Sequence, residues 1–302
     1  MNIKGILITL LAPMENHIAN GGEKLLGNAS SIKRRPDGKV YISGQMQRRV
    51  LFSAIDRLNQ DDSQKGETYV SNGDGIGNAI EVDLRADLGG FMHPSKGDYS
   101  GRRIAPISVT PAIALEPSEI GRDLMLRLST LDRNNAVATR EFSQGDMMHM
   151  NFFLDVNTVG VSKVFHYNEN FSIGSSYIQH VSNEERKRRA KLYVEATKMM
   201  NDYANQARNA VSGEPQQVLI VFDTKMSRKA SRYFVAGETE KLNILKELEE
   251  REAQYFLGDD INGNVSVAAA YKEAEDFLEN NTLYNPCEEN AEIKTFAETF
   301  PG

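Results

Sequence analysis

Cysteine is almost absent. The 302-residue chain has one, Cys287, which excludes a disulfide framework and a cysteine-based zinc site and fits a reducing compartment. Long apolar runs are missing as well, and no stretch approaches the roughly 18 residues a membrane span needs. The opening segment MNIKGILITLLAPMENH has a short apolar run behind Lys4 alone, with an acid soon after; it reads as a buried first strand, not a secretory leader. The histidines His17, His93, His149, His166 and His180 are scattered without metal-ligand spacing, so no metal or cofactor is expected. No internal repeat, coiled-coil heptad or low-complexity tract is visible. Gly73-x-Gly75-x-Gly77 follows no apolar strand and opens no helix, which excludes a nucleotide-binding loop. Glu195, Glu240 and Asp259 have no partner that would mark an acid–base pair. The 40% of apolar residues suffices for a real core, and the length allows one decorated domain or two modest ones.

The net charge of −7 hides an asymmetry. Residues 238–302 hold 16 acids and 5 bases, a net of −11, which leaves residues 1–237 at +4. Within 24–57, Lys24, Lys33, Arg34, Arg35, Lys39, Arg48, Arg49 and Arg57 face only Asp37 and Asp56. A local field steers a polyanion and an average does not, so an acidic whole is compatible with a nucleic-acid partner.

Residues 3–12 are apolar on both faces, as in a strand buried on both sides. Residues 39–42 read as a short strand, after which Ser43 caps a helix over about 45–59. Its stripe is Met46, Val50, Ala54, Ile55 and Leu58; Arg48, Arg49 and Phe52 lean away. Residues 60–81 read as a polar loop. Pro106 and Pro111 make 104–115 an edge strand or a broken one. Residues 124–131 and 136–143 alternate around Asp132-Arg133-Asn134-Asn135, a hairpin signal, and 147–157 form a strand. Ser182-Asn183-Glu184-Glu185 reads as a capping box opening a helix to about 211, ended by Gly213. Residues 217–223 form a buried strand. The order βαββαβ is that of an α+β, ferredoxin-like or RRM-like fold with long insertions. The expected organisation is a palm over 1–237, with an insertion over about 60–103 and a hairpin over about 116–146. An acidic region over 238–302 then follows, read as helices at about 238–257 and 267–280 packed outside the core. The basic run Arg186-Lys187-Arg188-Arg189-x-Lys191 reads as a solvated face.

The strongest chemical signal is residues 22–49, a basic, glycine-bearing loop running into a helix whose first turns carry Gln45, Arg48 and Arg49. A helix N-terminus offers free N–H groups and partial positive charge to a phosphate, and arginines there add charge-assisted bonds. Charge alone does not choose between this and a solvated basic face.

The run Lys33-Arg34-Arg35…Tyr41-Ile42-Ser43-Gly44-Gln45-Met46-Gln47-Arg48-Arg49 resembles the loop and first helix of the backbone subunits of CRISPR Cascade complexes. The wording is closest to the DevR-type autoregulator branch of the RAMP superfamily. Asp87–Met92 with Arg103–Ile113, Ala138-Thr-Arg-Glu-Phe-Ser-Gln-Gly145, and Asn151–Asn157 resemble further family segments in the same order, so the likeness spans about residues 3–235. Gly44 departs by replacing a second serine of some relatives. The resemblance implies a non-catalytic subunit of a prokaryotic cytoplasmic ribonucleoprotein in antiviral defence or guided targeting. It would bind crRNA and assemble with copies of itself and other Cascade subunits into a helical filament. It would present the guide to target DNA, since backbone contacts bind RNA without reading it and pairing reads the sequence. By the same resemblance Lys24, Lys33, Arg34, Arg35, Ser43, Gln45, Arg48 and Arg49 lie along guide phosphates, and the 116–146 hairpin is the thumb. Arg140, Phe142 and Met147 near its base are further RNA-contact candidates; for Phe142 and Met147, wedging or stacking against bases competes with plain core packing. Two other readings stay open. One is a metal-dependent endoribonuclease of the same superfamily using Asp37, although Pro36-Asp37-Gly38 is a common turn sequence. The other is a stand-alone binder of single-stranded RNA.

Overall fold

The structure is a computed structural model that describes residues 1–19, 29–72, 77–92, 102–127, 136–169, 171–203 and 210–300. Its elements follow in chain order as β1 (Gly5–His17), β2 (Tyr41–Ile42), α1 (Gly44–Asp61), α2 (Leu84–Gly89), β3 (Ile107–Val109), β4 (Ala112–Ala114), β5 (Ile120–Arg127), β6 (Ala136–Asp155), β7 (Val161–Asn168), β8 (Phe171–Gln179), α3 (Asn183–Lys198), β9 (Gln217–Asp223), α4 (Glu238–Glu250), β10 (Gln254–Asp259) and α5 (Val267–Glu279). The main sheet runs β10-β9-β1-β6-β4-β2, with β3 also on β6. Both β9 and β6 pair antiparallel with β1. This is the RRM-like βαββαβ palm, in an α+β fold with insertions.

Alternation along β1 explains the layers. Ile6, Ile8, Leu10, Ala12 and Met14 enter a core shared with α1, α3 and α5, while Leu7 enters a second core with Phe153, Leu219, Val221, Ile244 and Leu248. Successive strand residues point to opposite faces, so a run apolar at every position must be covered twice. The break at Pro111 is real: β3 and β4 lie on either side of it, both on β6. β4 is not the edge, because Tyr41 and Ile42 pair outside Ile113 and Ala112, whereas among the described residues no strand pairs outside β3.

Four expectations are corrected. The helix at 183 stops at Lys198 instead of running to about 211. Ser182 caps it, accepting from Glu185 N at 3.2 Å, but at its far end Arg57 of α1 donates to the Met199 carbonyl at 3.0 Å and to Asn201 Oδ1 at 2.9 Å. A carbonyl engaged by a side chain at the last turn is a C-terminal stop that periodicity does not display. The helix expected over 238–257 ends at Glu250. Glu252 has φ +56°, outside the helical region, and Gln254–Asp259 then pairs with β9 as an outer strand of the sheet. The acidic region therefore does not lie wholly outside the core: β10 extends the sheet, and Ala270, Tyr271, Ala274 and Leu278 of α5 are fully buried in the main cluster.

The run 186–191 is not a solvated face either. Arg186 and Arg189 are fully buried and Arg188 nearly so. Arg189 donates to Asp87 Oδ2 at 2.7 Å and to the Ile80 and Glu81 carbonyls at 2.8 Å. Arg186 donates to the carbonyls of Val159, Val156 and Tyr284. Arg188 meets Glu185 and Asp62. Fourth, Phe52 does not lean into solvent, because α2 of the insertion covers it and it is fully buried. The antiparallel ribbon β7–β8, with exposed Phe165, Phe171 and Ile173, is an element the sequence reading did not contain.

Candidate nucleic-acid interface

The basic loop is shaped by its own turn. Gly38 has φ +83°, a conformation glycine adopts at little cost. Gly38 N donates to the Arg35 carbonyl at 3.0 Å, and Arg35 N to that of Lys39 at 2.9 Å. Asp37 Oδ1 accepts from Lys39 N at 3.2 Å, and its other oxygen lies 3.7 Å from Arg35 Nε. Asp37 is thus engaged within the turn. The side chains of Arg34 and Arg35 are exposed, and Lys33 is half-buried. Lys24 lies outside the described residues.

From this turn the chain passes through β2 into α1. Ser43 accepts from Met46 N at 3.2 Å, as an N-cap does. Gln45 and Arg49 are exposed in the first turns, whereas Arg48 is half-buried. Arg48 donates through Nη2 to the Gly89 carbonyl at the end of α2. Its guanidinium lies 5.7 Å from the centre of the Phe52 ring, and that of Arg85 lies 4.9 Å from it. Burial, then the charge of Arg85, holds Arg48 below the ordinary guanidinium value. Arg85 is a functional candidate that sequence reading missed. Its only signal was a charge within the insertion over about 60–103.

The loop and the hairpin meet. β5 pairs with β6 from Ala136↔Arg127 to Ser143↔Ile120, and the hairpin's turn lies outside the described residues. Ala29 and Ser30 pair in parallel with Thr139 and Arg140. Glu141, nearly buried, accepts from Ile32 N at 3.1 Å and pairs with Arg122 at 3.1 Å. On the other arm Val40 N donates to Ser118 Oγ at 3.0 Å and Lys39 Nζ to the Leu115 carbonyl at 2.5 Å. Asp146 joins the hairpin base to the end of β1. Its carboxylate takes the Ser118 and Ser143 hydroxyls, each at 2.5 Å, and lies 2.7 Å from His17 Nε2. Burial would raise its pKa; the hydrogen bonds from His17, Ser118 and Ser143 and the His17 charge outweigh that and lower it.

Arg140 and Phe142 share one face of the hairpin, opposite Asp123 and Gly121 respectively. Gly121 leaves the space that the Phe142 ring occupies. Met147 falls an odd number of residues along β6 and points to the other face, so the structure separates it from Arg140 and Phe142. Met148 is fully buried core. The basic loop and α1 follow the β2 edge of the sheet, and β10, from the C-terminal region, lies at its opposite edge.

Among the described residues, no three histidine, cysteine, aspartate or glutamate side chains come together as metal ligands, and no helix is long and apolar enough to cross a membrane. No protein-family profile and no curated protein sequence matches the chain. Solved structures do. A chain of a "CRISPR RNA-guided surveillance complex" aligns with TM-score 0.54 at 13% identity, covering 93% of this chain and 94% of that one. A chain of a "CRISPR RNA-guided surveillance complex, pre-nicking" aligns with TM-score 0.54 at 10% identity, covering 93% and 96%. At these identities the likeness is one of fold, and it extends over nearly the whole length of all three chains.

Proposed function

We propose that the chain is a non-catalytic backbone subunit of a CRISPR surveillance complex. It binds the phosphates of the guide RNA along the 33–49 segment, repeats side by side along the guide with copies of itself, and holds the bases for pairing with target DNA. One observation carries this reading: the basic loop that leads through β2 into α1 is bonded to the base of the hairpin as a single unit. That unit sits in a fold shared end to end with chains of RNA-guided surveillance complexes. A phosphate-binding surface fixed to a projecting hairpin suits a protein that grips a strand and segments it.

The test is the mass of the purified protein before and after nuclease treatment, with sequencing of the nucleic acid that accompanies it. Ordered multimers on RNA of uniform length are expected. A monomer that carries no RNA, and binds none when given it, overturns the reading. Cleavage of target RNA through Asp37 gains no support from the geometry, because that carboxylate is engaged by Lys39 N and Arg35.

A further inference from the structure

We propose that Arg85, on α2 of the insertion, completes with Arg49 and Arg48 of α1 a single anion site that takes one phosphodiester of the bound RNA strand. The inference rests on the reading that the start of α1 faces the guide, and it adds a contact from a different element.

The argument begins with how this protein treats its other buried guanidiniums. Arg103 donates to Asp87 and to the Val161 and Thr158 carbonyls. Arg186, Arg188 and Arg189 are matched to carboxylates or carbonyls in the same way. Each of these is held by a carboxylate or by several carbonyls, as Arg251 is by Asp223 and Glu247 although its Nε is unpartnered. At the α1–α2 junction the fold supplies neither. Arg48 has one bond, to the Gly89 carbonyl. Arg85 Nε is buried and has no hydrogen-bond partner. Among the described residues, none of Arg48, Arg49 and Arg85 forms an ion pair.

The three charges also act on one another. The Arg85 charge depresses Arg48. Arg85 is depressed chiefly by burial and also by Arg49, against the raising influence of Asp83 and Asp56. Those two acids temper the cluster without reaching ion-pair distance. Two like charges, Arg48 and Arg85, converge on the Phe52 ring with an unmatched buried donor between them, and the free energy of such a site falls when an anion arrives. A guanidinium fork suits the paired oxygens of a phosphodiester. Arg49 is exposed, so the site opens to solvent and a strand can reach it. α2 is too short to offer a helix-end site, so the side chains carry the proposal.

The experiment measures affinity of the full chain for two unrelated single-stranded RNAs across a salt series, for wild type, Arg85→Gln and Arg85→Lys, with thermal midpoints recorded alongside. Arg85→Gln keeps a polar side chain on α2 but is shorter, so it removes both the charge and the guanidinium over Phe52. It is expected to reduce the slope of log affinity against log salt by about 0.7, one single-strand phosphate contact, equally for both RNAs. Arg85→Lys keeps the charge and loses the fork; it is expected to retain the slope and to bind several-fold more weakly. An unchanged slope in a folded Arg85→Gln, with wild type binding RNA normally, overturns this site and leaves the guide-binding reading standing. Should Arg85→Gln fail to fold, Arg85→Lys binding with wild-type affinity overturns it instead. A wild type that binds no RNA overturns both readings.

Discussion

Asp87 and Arg189 are both fully buried and lie 2.7 Å apart, Oδ2 to Nη1. They join α2 of the insertion to α3 of the palm across 102 positions of sequence. The same carboxylate takes Arg103 and the Gly160 N–H. Four segments that hold no local information about one another are therefore locked at one point.

Asp87→Asn keeps the volume and removes the charge that balances two buried guanidiniums. Breaking a buried pair from one side costs about 3–5 kcal/mol, so the urea midpoint at neutral pH falls sharply. The pH dependence follows from the wild type. Burial would raise the Asp87 carboxyl, but the charges of Arg103 and Arg189 and the bonds from Arg189 and Gly160 hold it below its ordinary value. A depressed folded pKa contributes stability that is full above the unfolded value of about 3.9 and is lost as pH falls toward the folded one. Wild-type stability drops below about pH 4 for this reason, and in Asp87→Asn that component of the drop is missing. Equal acid profiles for the two proteins count against the assignment.

Arg48 and Arg49 separate by what each touches in the folded protein. Arg48→Ala removes the bond to the Gly89 carbonyl and leaves that acceptor under α2, costing about 1.5–3 kcal/mol, the range for bonds to charged groups. Arg49 is exposed, and Arg49→Ala changes stability by no more than about 0.5 kcal/mol. Both weaken binding to unrelated RNAs alike. Calorimetry of the two variants beside their salt series checks the split, and a loss confined to one RNA sequence contradicts phosphate contact.

Ser43→Ala removes the N-cap of an 18-residue helix. Typical cap losses are about 1 kcal/mol, which lowers the thermal midpoint by a few degrees. Ser43→Asp keeps a capping oxygen and restores the midpoint, but it puts a negative charge beside the proposed phosphate path and is expected to lower RNA affinity. A variant that recovers both stability and binding argues that no phosphate passes there.

Glu141→Ala leaves the buried Ile32 N–H without its acceptor at a cost of about 1–3 kcal/mol, and frees Arg122. Hydrogen exchange at Ile32 rises while exchange in α3 stays at its wild-type rate. Unchanged protection at Ile32 means the basic loop is held to the hairpin by other bonds.

Much of the frame was legible because the signals are local. Ser43 announces α1 through its own side chain. The doubly apolar run 3–12 announces a strand covered on both faces, and 136–143 announces its hairpin by alternation. Strand 254–259 was hidden behind a helix whose stop depends on one left-handed residue, Glu252. The Arg186–Arg189 run could not be read as buried, because Asp87, Asp62 and the carbonyls of Ile80 and Glu81 approach it from more than 100 positions away.

By itself, then, the sequence determined the βαββαβ order of the palm, the helix start at Ser43, the turn at Gly38 and the gathering of positive charge in 24–57. Each depends on residues within a few positions of one another. The tertiary structure decided which charges remain available. Arg48, Arg49 and Arg188 are the same chemical group, yet Arg188 is matched to Asp62, 126 positions away, while Arg49 stays open. Whether a charge is matched depends on which distant acceptors the packing of α1, α2 and α3 brings alongside it, and no spacing along the chain encodes that distance.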